Sequence, residues 1–360
     1  MMISNRKKAG VKMVVCILVV CSLLLVGIPM TQAAEKTTLR IVDEFTTEPR
    51  WTAFQHVLDR FQKLNPDITI KREGIGLWES TDVMKSALRA GTGPDVLHYS
   101  GGPAWMGVLA TGGLLLDLTE EYENNNWKEQ LAPWAKFVLP QVVYDGKYWG
   151  IPYGPEYFVM FYNKRMFREA GITKMPGTFE EVLTTCSKLK AAGYQPMITG
   201  NIGGYDGGYM LSWMWAQLDS RKVIENIYGG EGSWVDSKLI EGASRLLTLY
   251  EKGYINKDTN DMAGGDAQMV FMQEEAAMYP TGSWLEGEMY KNTTFEYSLF
   301  NPLPEGSVAV NLHRAFTIPA KTKHKDEALR LLDYLMAFEP GKIMLEESGH
   351  FPNGWLDQEY

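Results

Sequence analysis

The sequence predicts an α/β fold built on a mostly parallel sheet. Two observations carry that prediction. Short runs of strand-forming residues alternate with segments whose apolar residues recur at helical spacing. That alternation, strand–helix–strand–helix–strand, is how a parallel sheet flanked by helices is threaded. The length adds a bound: 360 residues suffice for two domains with buried cores.

Residues 1–33 read as a leader. Arg6, Lys7, Lys8 and Lys12 form a basic start, Val14 to Ile28 an apolar stretch, and Thr31-Gln32-Ala33 a small-residue cleavage site. The apolar stretch falls short of the roughly 20 residues that span a bilayer. A secretory signal cleaved near Ala33 is therefore expected rather than a membrane anchor. Cys16 and Cys21 lie inside the apolar run, Cys21 after Val19-Val20, which favours a plain signal over a lipidated one. Cleavage removes four basic residues and no acidic one, taking the net charge from −9 to −13. That acidity disfavours nucleic acid or anionic membrane as a partner and says little about a neutral ligand. Cys186 is then the only cysteine left. No internal disulfide can form, and Cys186 in a helical stretch reads as a small buried apolar residue.

Leu39 to Val42 reads as the first strand. Trp51, Phe54, Val57, Leu58, Phe61 and Leu64 then share one helical face, which Asn65-Pro66 stops. Ile68-Thr69-Ile70 is a second strand, and Val83, Met84, Ala87 and Leu88 form a second helical face ending at Gly91. Pro94 to Leu97 opens a third strand. Such sheets bind ligands beyond the carboxyl ends of their strands. Further on, Thr178-Phe179-Glu180-Glu181 is a capping box that starts a helix running to Gly193. Pro196 to Thr199 is a short strand, and Gly200 to Gly208 a glycine-rich loop. Leu239 to Tyr250 and Leu329 to Met336 show helical faces again.

Residues 143–170 are the most informative. Asp145-Gly146 between apolar and aromatic flanks is a hairpin signal. Tyr157 to Tyr162 could cross between two domains, and a helix start follows. Gly146-Lys147, Ile151-Pro152-Tyr153 and Tyr162-Asn163-Lys164 resemble the central segment of the extracellular solute-binding proteins that feed ABC importers, of the carbohydrate-binding, maltose-binding type. Ala90 to Val96, Gly112 to Leu118, Pro176 to Glu181, Phe271 to Trp284 and Phe316 to Leu335 resemble further family motifs in the family's order. The resemblance covers Leu39 to Pro352. It implies two α/β lobes joined by hinge strands, the periplasmic-binding-protein fold, with the ligand in the interlobe cleft. Residues 34–152 and about 308–340 would form one lobe, and 153–307 with about 341–360 the other. Family members continue with further helices after the segment that Gly349 to Pro352 resembles, so a fragment, a frameshifted product or a short variant is expected.

The chain holds 11 Trp and 18 Tyr. Aromatic faces stack on the C–H faces of sugar rings while polar groups read the hydroxyls. Most aromatics fill cores, and Trp51 and Trp134 are expected there; Trp213 and Trp215 divide evenly. Better candidates stand at strand ends and in loops. Glu44 follows the first strand, and Tyr99 and Ser100 follow the third. Tyr153 and Glu156 flank the presumed hinge. Tyr205 and Asp206 lie in the glycine-rich loop, and His313-Arg314 precedes a strand, where it could donate to hydroxyls. By resemblance Tyr99 and the Tyr205 segment line the cleft, and Trp284 in Gly-Ser-Trp is a stacking platform. Trp78 completes the expected ligand-binding set. No catalytic residue, metal ligand or cofactor is expected. The histidines at 56, 98, 313, 324 and 350 have no paired spacing. Asn256, Asp258, Asn260 and Asp261 hint at a calcium loop but lack its glycine and final glutamate. No P-loop, nucleophile elbow or thiol–histidine signature occurs. The function expected is an exported, monomeric binding protein that delivers a sugar or oligosaccharide to ABC permease subunits. An exported glycoside hydrolase, or a binding protein for a polyamine or peptide, is the alternative.

Overall fold

A computed structural model describes residues 36–228, 230–303 and 310–350. The leader, the expected cleavage site near Ala33 and the last ten residues lie outside the described residues. The strands are β1 (Thr37–Asp43), β2 (Ile68–Gly74), β3 (Val96–Tyr99), β4 (Val143–Tyr144), β5 (Lys147–Tyr148), β6 (Ile151–Asn163), β7 (Gln195–Met197), β8 (Ala276–Gly282), β9 (Tyr297–Phe300) and β10 (Val310–Thr317). Eight of them form one sheet in the order β2-β1-β3-β10-β6-β8-β7, with β9 also paired to β6.

The sheet is mixed rather than mostly parallel. β1 runs parallel to β2 and β3, and β7 to β8. β10 and β6 run antiparallel to their neighbours, because they carry the chain back between the two ends of the molecule. β6 has 13 residues. Its first half pairs only with β10, from Ile151 to Tyr157. Its second half pairs with β8 from Phe158 and with β9 from Met160. Pro152 and Pro155 thus fall where β6 has a single strand neighbour, and their missing N–H groups leave few ladder bonds unmade.

The apolar residues gather into distinct cores. One draws on β1, β3, helix Arg50–Leu64 and helix Lys325–Met336, with Phe54, Phe61, Trp127, Tyr153 and Phe316 among its members. A second surrounds Phe167, Cys186, Met197, Trp213 and Met278, and a third Phe161, Phe271 and Tyr279. The changeover falls on Gly154 to Tyr157 of β6. Helix Phe338–Ser348 corrects an expectation: it lies against helix Arg50–Leu64, and Met344 belongs to the first core, so residues 341–348 do not join the second lobe.

Local signals explain most boundaries. Asp145 and Gly146 both take positive φ, 53° and 71°, which is the two-residue turn that matches strand twist, and β4 pairs β5 across it. Thr178 and Glu181 form the full capping box ahead of helix Phe179–Ala191. β3 starts at Val96 rather than Pro94, since Asp95 Oδ2 is occupied accepting from Arg40 N at 2.8 Å. The glycine-rich loop is shorter than expected, for helix Tyr205–Gln217 begins inside it. Gly204 at φ 76° turns the chain, and Asn201 Oδ1 accepts from Gly207 N at 2.9 Å, supplying a first-turn N–H with a partner. Trp213 is fully buried and donates to Pro302 O at 2.7 Å, so it is core. Trp215, half-buried, donates to Leu239 O at 3.0 Å. Cys186 is buried and unpaired, and burial pushes its thiol up. No helix of the described residues is long and apolar enough to cross a membrane.

Candidate functional site

The carboxyl ends of β1 and β3 open onto a cleft beside β6 and β10, where a sheet of this type holds ligands. Three adjoining cavities make it up. A cavity of about 180 Å³ is lined by Glu44, Phe45, Arg50, His98, Tyr153 and Arg314. One of about 390 Å³ is lined by Arg50, Trp284, Glu286, Glu288 and Tyr290. One of about 370 Å³ is lined by Glu156, Tyr157, Phe158, Ser283, Trp284 and Asn301. His350 borders all three.

Beneath the cleft lies a rigid polar floor. Asp43, fully buried, meets Arg72 through two bonds of 2.7 and 2.9 Å. The Arg72 guanidinium rests 3.8 Å from the Trp51 ring. Burial raises the Asp43 carboxyl, and Arg72 works against that. Beside it Arg314 pairs with Glu44 and donates to Ser100 Oγ at 2.8 Å. Arg314 is only 4% exposed, and desolvation pulls its guanidinium down to about 9. Arg314 therefore holds Glu44 and Ser100 in place; it is not the open hydroxyl donor that the sequence suggested.

Tyr153 and Tyr99 are likewise walls more than platforms. Tyr153 is 2% exposed, sits in the first core and stacks on His350 at 5.7 Å. Burial pushes the Tyr153 hydroxyl up. Tyr99 is buried with its edge to Trp105 at 6.3 Å. Trp78 falls in helix Leu77–Ala90, and its side chain lies outside the described residues.

Two of the other expected residues, Glu156 and Trp284, line the third cavity. Trp284 follows β8, and its six-membered ring folds back over Gly282, where any Cβ would collide with it. That is the physical content of the Gly-Ser-Trp spacing. The ring lies 5.2 Å from that of Tyr209. Tyr205 and Asp206 start the same helix as Tyr209. Desolvation pushes the Asp206 carboxyl up to about 6. Its Oδ2 lies 2.8 Å from where a Cβ on Gly264 would stand, so glycine there leaves it room. Glu156 is buried on β6 and, with Asp206 and Tyr205, raises the Tyr209 hydroxyl beyond what burial does. Burial raises the Tyr99 hydroxyl, and Tyr205 adds to that.

Four contributors escaped the sequence reading. Arg50 opens helix Arg50–Leu64 and is reached by the charges of Glu156 and Glu288. Its signal was masked by the strong apolar face that begins one residue later. Tyr209 could have been found, since it stands four residues after Tyr205 on one helix face. Glu288 and His350 carry no local signal, because their neighbours come from distant parts of the chain. A separate cavity of about 180 Å³ near Arg40, Asp95 and Lys321 has its polar groups engaged internally. Arg40 donates to Thr92 O and Gly93 O, and Thr322 to Asp95. Among the described residues no cluster of three or more His, Cys, Asp or Glu could hold a metal ion.

A mixed sheet shared by two lobes, crossed by paired strands and opening onto an aromatic and carboxylate-lined cleft, defines a two-lobed solute-binding protein. The chain matches the bacterial extracellular solute-binding proteins over residues 47–337 and belongs to that family. It is 24% identical over 326 residues to the multiple sugar-binding protein of Streptococcus mutans, covering 87% of this chain and 75% of that one. It is also 24% identical over 215 residues to a maltooligosaccharide ABC transporter solute-binding lipoprotein of Streptococcus pneumoniae, covering 58% of this chain and 49% of that one. Among solved structures, a chitin oligosaccharide binding protein superposes with a TM-score of 0.76 at 20% identity, over 89% of this chain and 82% of that one.

Proposed function

We propose that the protein captures a sugar or oligosaccharide between its lobes and delivers it to the permease subunits of an ABC importer. It works as an exported monomer, its leader cleaved near Ala33, and catalyses no reaction. Residues 36–152 with 310–348 form the first lobe and 158–228 with 230–303 the second, with β6 and β10 as the crossings. The observation that carries the reading is the pairing of surfaces in one cleft. The Trp284 and Tyr209 rings offer a stacking face, and Arg50, Glu156 and Asp206 offer donors and acceptors for hydroxyls. The relatives named for sugars support it.

A melting screen against a sugar library tests the proposal. A true ligand at 100 times its Kd stabilises the fold by about 2.7 kcal/mol, and chromatography of the mixture finds the sugar unchanged. If no carbohydrate moves the melt while amines or peptides do, the sugar reading fails. Hydrolysis products would instead point to a glycosidase.

A further inference from the structure

We infer that the cleft admits neutral or amino-bearing glycans and turns acidic ones away, with Arg50, Glu156 and Glu288 setting that rule. The inference rests on the carbohydrate reading above. The three side chains come from three parts of the chain: the start of helix Arg50–Leu64, the crossing strand β6, and helix Glu286–Asn292. Arg50 borders the two cavities of about 180 and 390 Å³, Glu288 the second of these, and Glu156 the adjoining third. The Arg50 guanidinium stands 5.9 Å from the Phe45 ring centre, shares a cavity with Glu288, and is reached by the charges of both carboxylates. Arg314 and Arg72, the buried guanidinia of the cleft, are committed to Glu44 and Ser100 and to Asp43. Glu48, Glu286, Glu346 and Glu347 add further carboxylates to the wall that Arg50 shares, where Lys291 is the other cation.

Around Arg50 the carboxylates therefore outnumber the cations in a half-enclosed space. An acidic ligand that approached Arg50 would bring a third negative charge beside Glu156 and Glu288, which low solvent access makes costly. A hydroxyl group is both donor and acceptor. Neighbouring sugar hydroxyls can give to Glu156 and Glu288 and accept from Arg50 with no change in charge. An ammonium on the ligand would find surplus carboxylate at Glu286 and Glu288. Burial lowers the Arg50 guanidinium from its usual value, and Glu156 and Glu288 offset part of that.

Calorimetric titration of the full chain tests the rule. The probes are maltotriose, xylotriose, raffinose and triacetylchitotriose as neutral sugars, chitotriose as the amine, and trigalacturonate as the acid. The tightest binder is expected to be neutral or an amine, with trigalacturonate at least tenfold weaker. Glu288→Gln frees Arg50 from one carboxylate and should narrow that ratio at least fivefold; Glu156→Gln is the second variant, each checked for an unchanged fold by its melting curve. Trigalacturonate binding within threefold of the best sugar, or a ratio that neither variant moves, overturns the inference. If no sugar binds, putrescine and succinate are compared. Putrescine binding alone removes the sugar reading and keeps the charge rule; any other result overturns both.

Discussion

Trp284 shows how much one residue can decide. Its ring reaches the cleft because Gly282 has no side chain, and it meets Tyr209 rather than a closed core. Trp284→Ala is expected to weaken ligand binding by about 1–3 kcal/mol through lost stacking and apolar contact. Trp213, fully buried one helix away, serves as the contrast: Trp213→Ala should cost about 3–5 kcal/mol of stability. Titration and melting of both variants check this, and a Trp284 variant that loses stability like Trp213 with affinity intact would place it in the core. Asp206 makes a second residue-scale prediction. Its ordinary value is 3.8 and its folded value about 6, so the folded state holds the proton more tightly. The stability it lends is fully present below pH 4 and is lost as pH rises through 6. The hydroxyls of Tyr209 and Tyr279 feel its charge, and Gly264 leaves it its space. Asp206→Asn should flatten the stability profile between pH 4 and 7 without ligand. A profile unchanged in that window would contradict the assignment.

Among the elements, β6 matters most. Gly154 has φ 84°, and a Cβ on it would run into the His350 ring, at the point where β6 leaves one core for the next. Gly154→Ala should destabilise by about 1–3 kcal/mol. Gly208 is the control: it is helical with open space around it, so Gly208→Ala should stabilise by about 0.4–1 kcal/mol. Chemical denaturation of both proteins measures the difference, and equal effects would mean that Gly154 bears no special constraint. Elements like these differ in how plainly the sequence announces them. The Asp145-Gly146 hairpin and the Thr178–Glu181 capping box are local chemistry, and both stand where expected. The mixed strand directions were not legible, because direction is set by which distant strand comes to lie alongside. The helix start at Tyr205 was hidden by Gly207 and Gly208, whose weak propensity is overridden by the Asn201 bond. Within the site, single positions such as Glu156 and Trp284 could be picked out as candidates. What could not be read was use: nothing local tells that Arg314 is spent on Glu44 and Ser100, or that Arg50 borders two of the cavities.

At the scale of the molecule, the two sides of the cleft belong to different cores, joined chiefly by β6 and β10. A ligand that touches both sides gains contacts only when they approach, so it favours the closed arrangement over the open one. Arg50 and Glu156 stand on one side and the crossing, Trp284 and Glu288 on the other. The most direct measurement is small-angle scattering of the protein alone and saturated with the sugar that most raises its melting temperature. Binding between two lobes predicts a smaller radius of gyration with sugar, and no such change for Trp284→Ala at a sugar concentration that saturates only the unaltered protein. An unchanged radius for the unaltered protein at proven saturation would contradict capture by closure of the cleft.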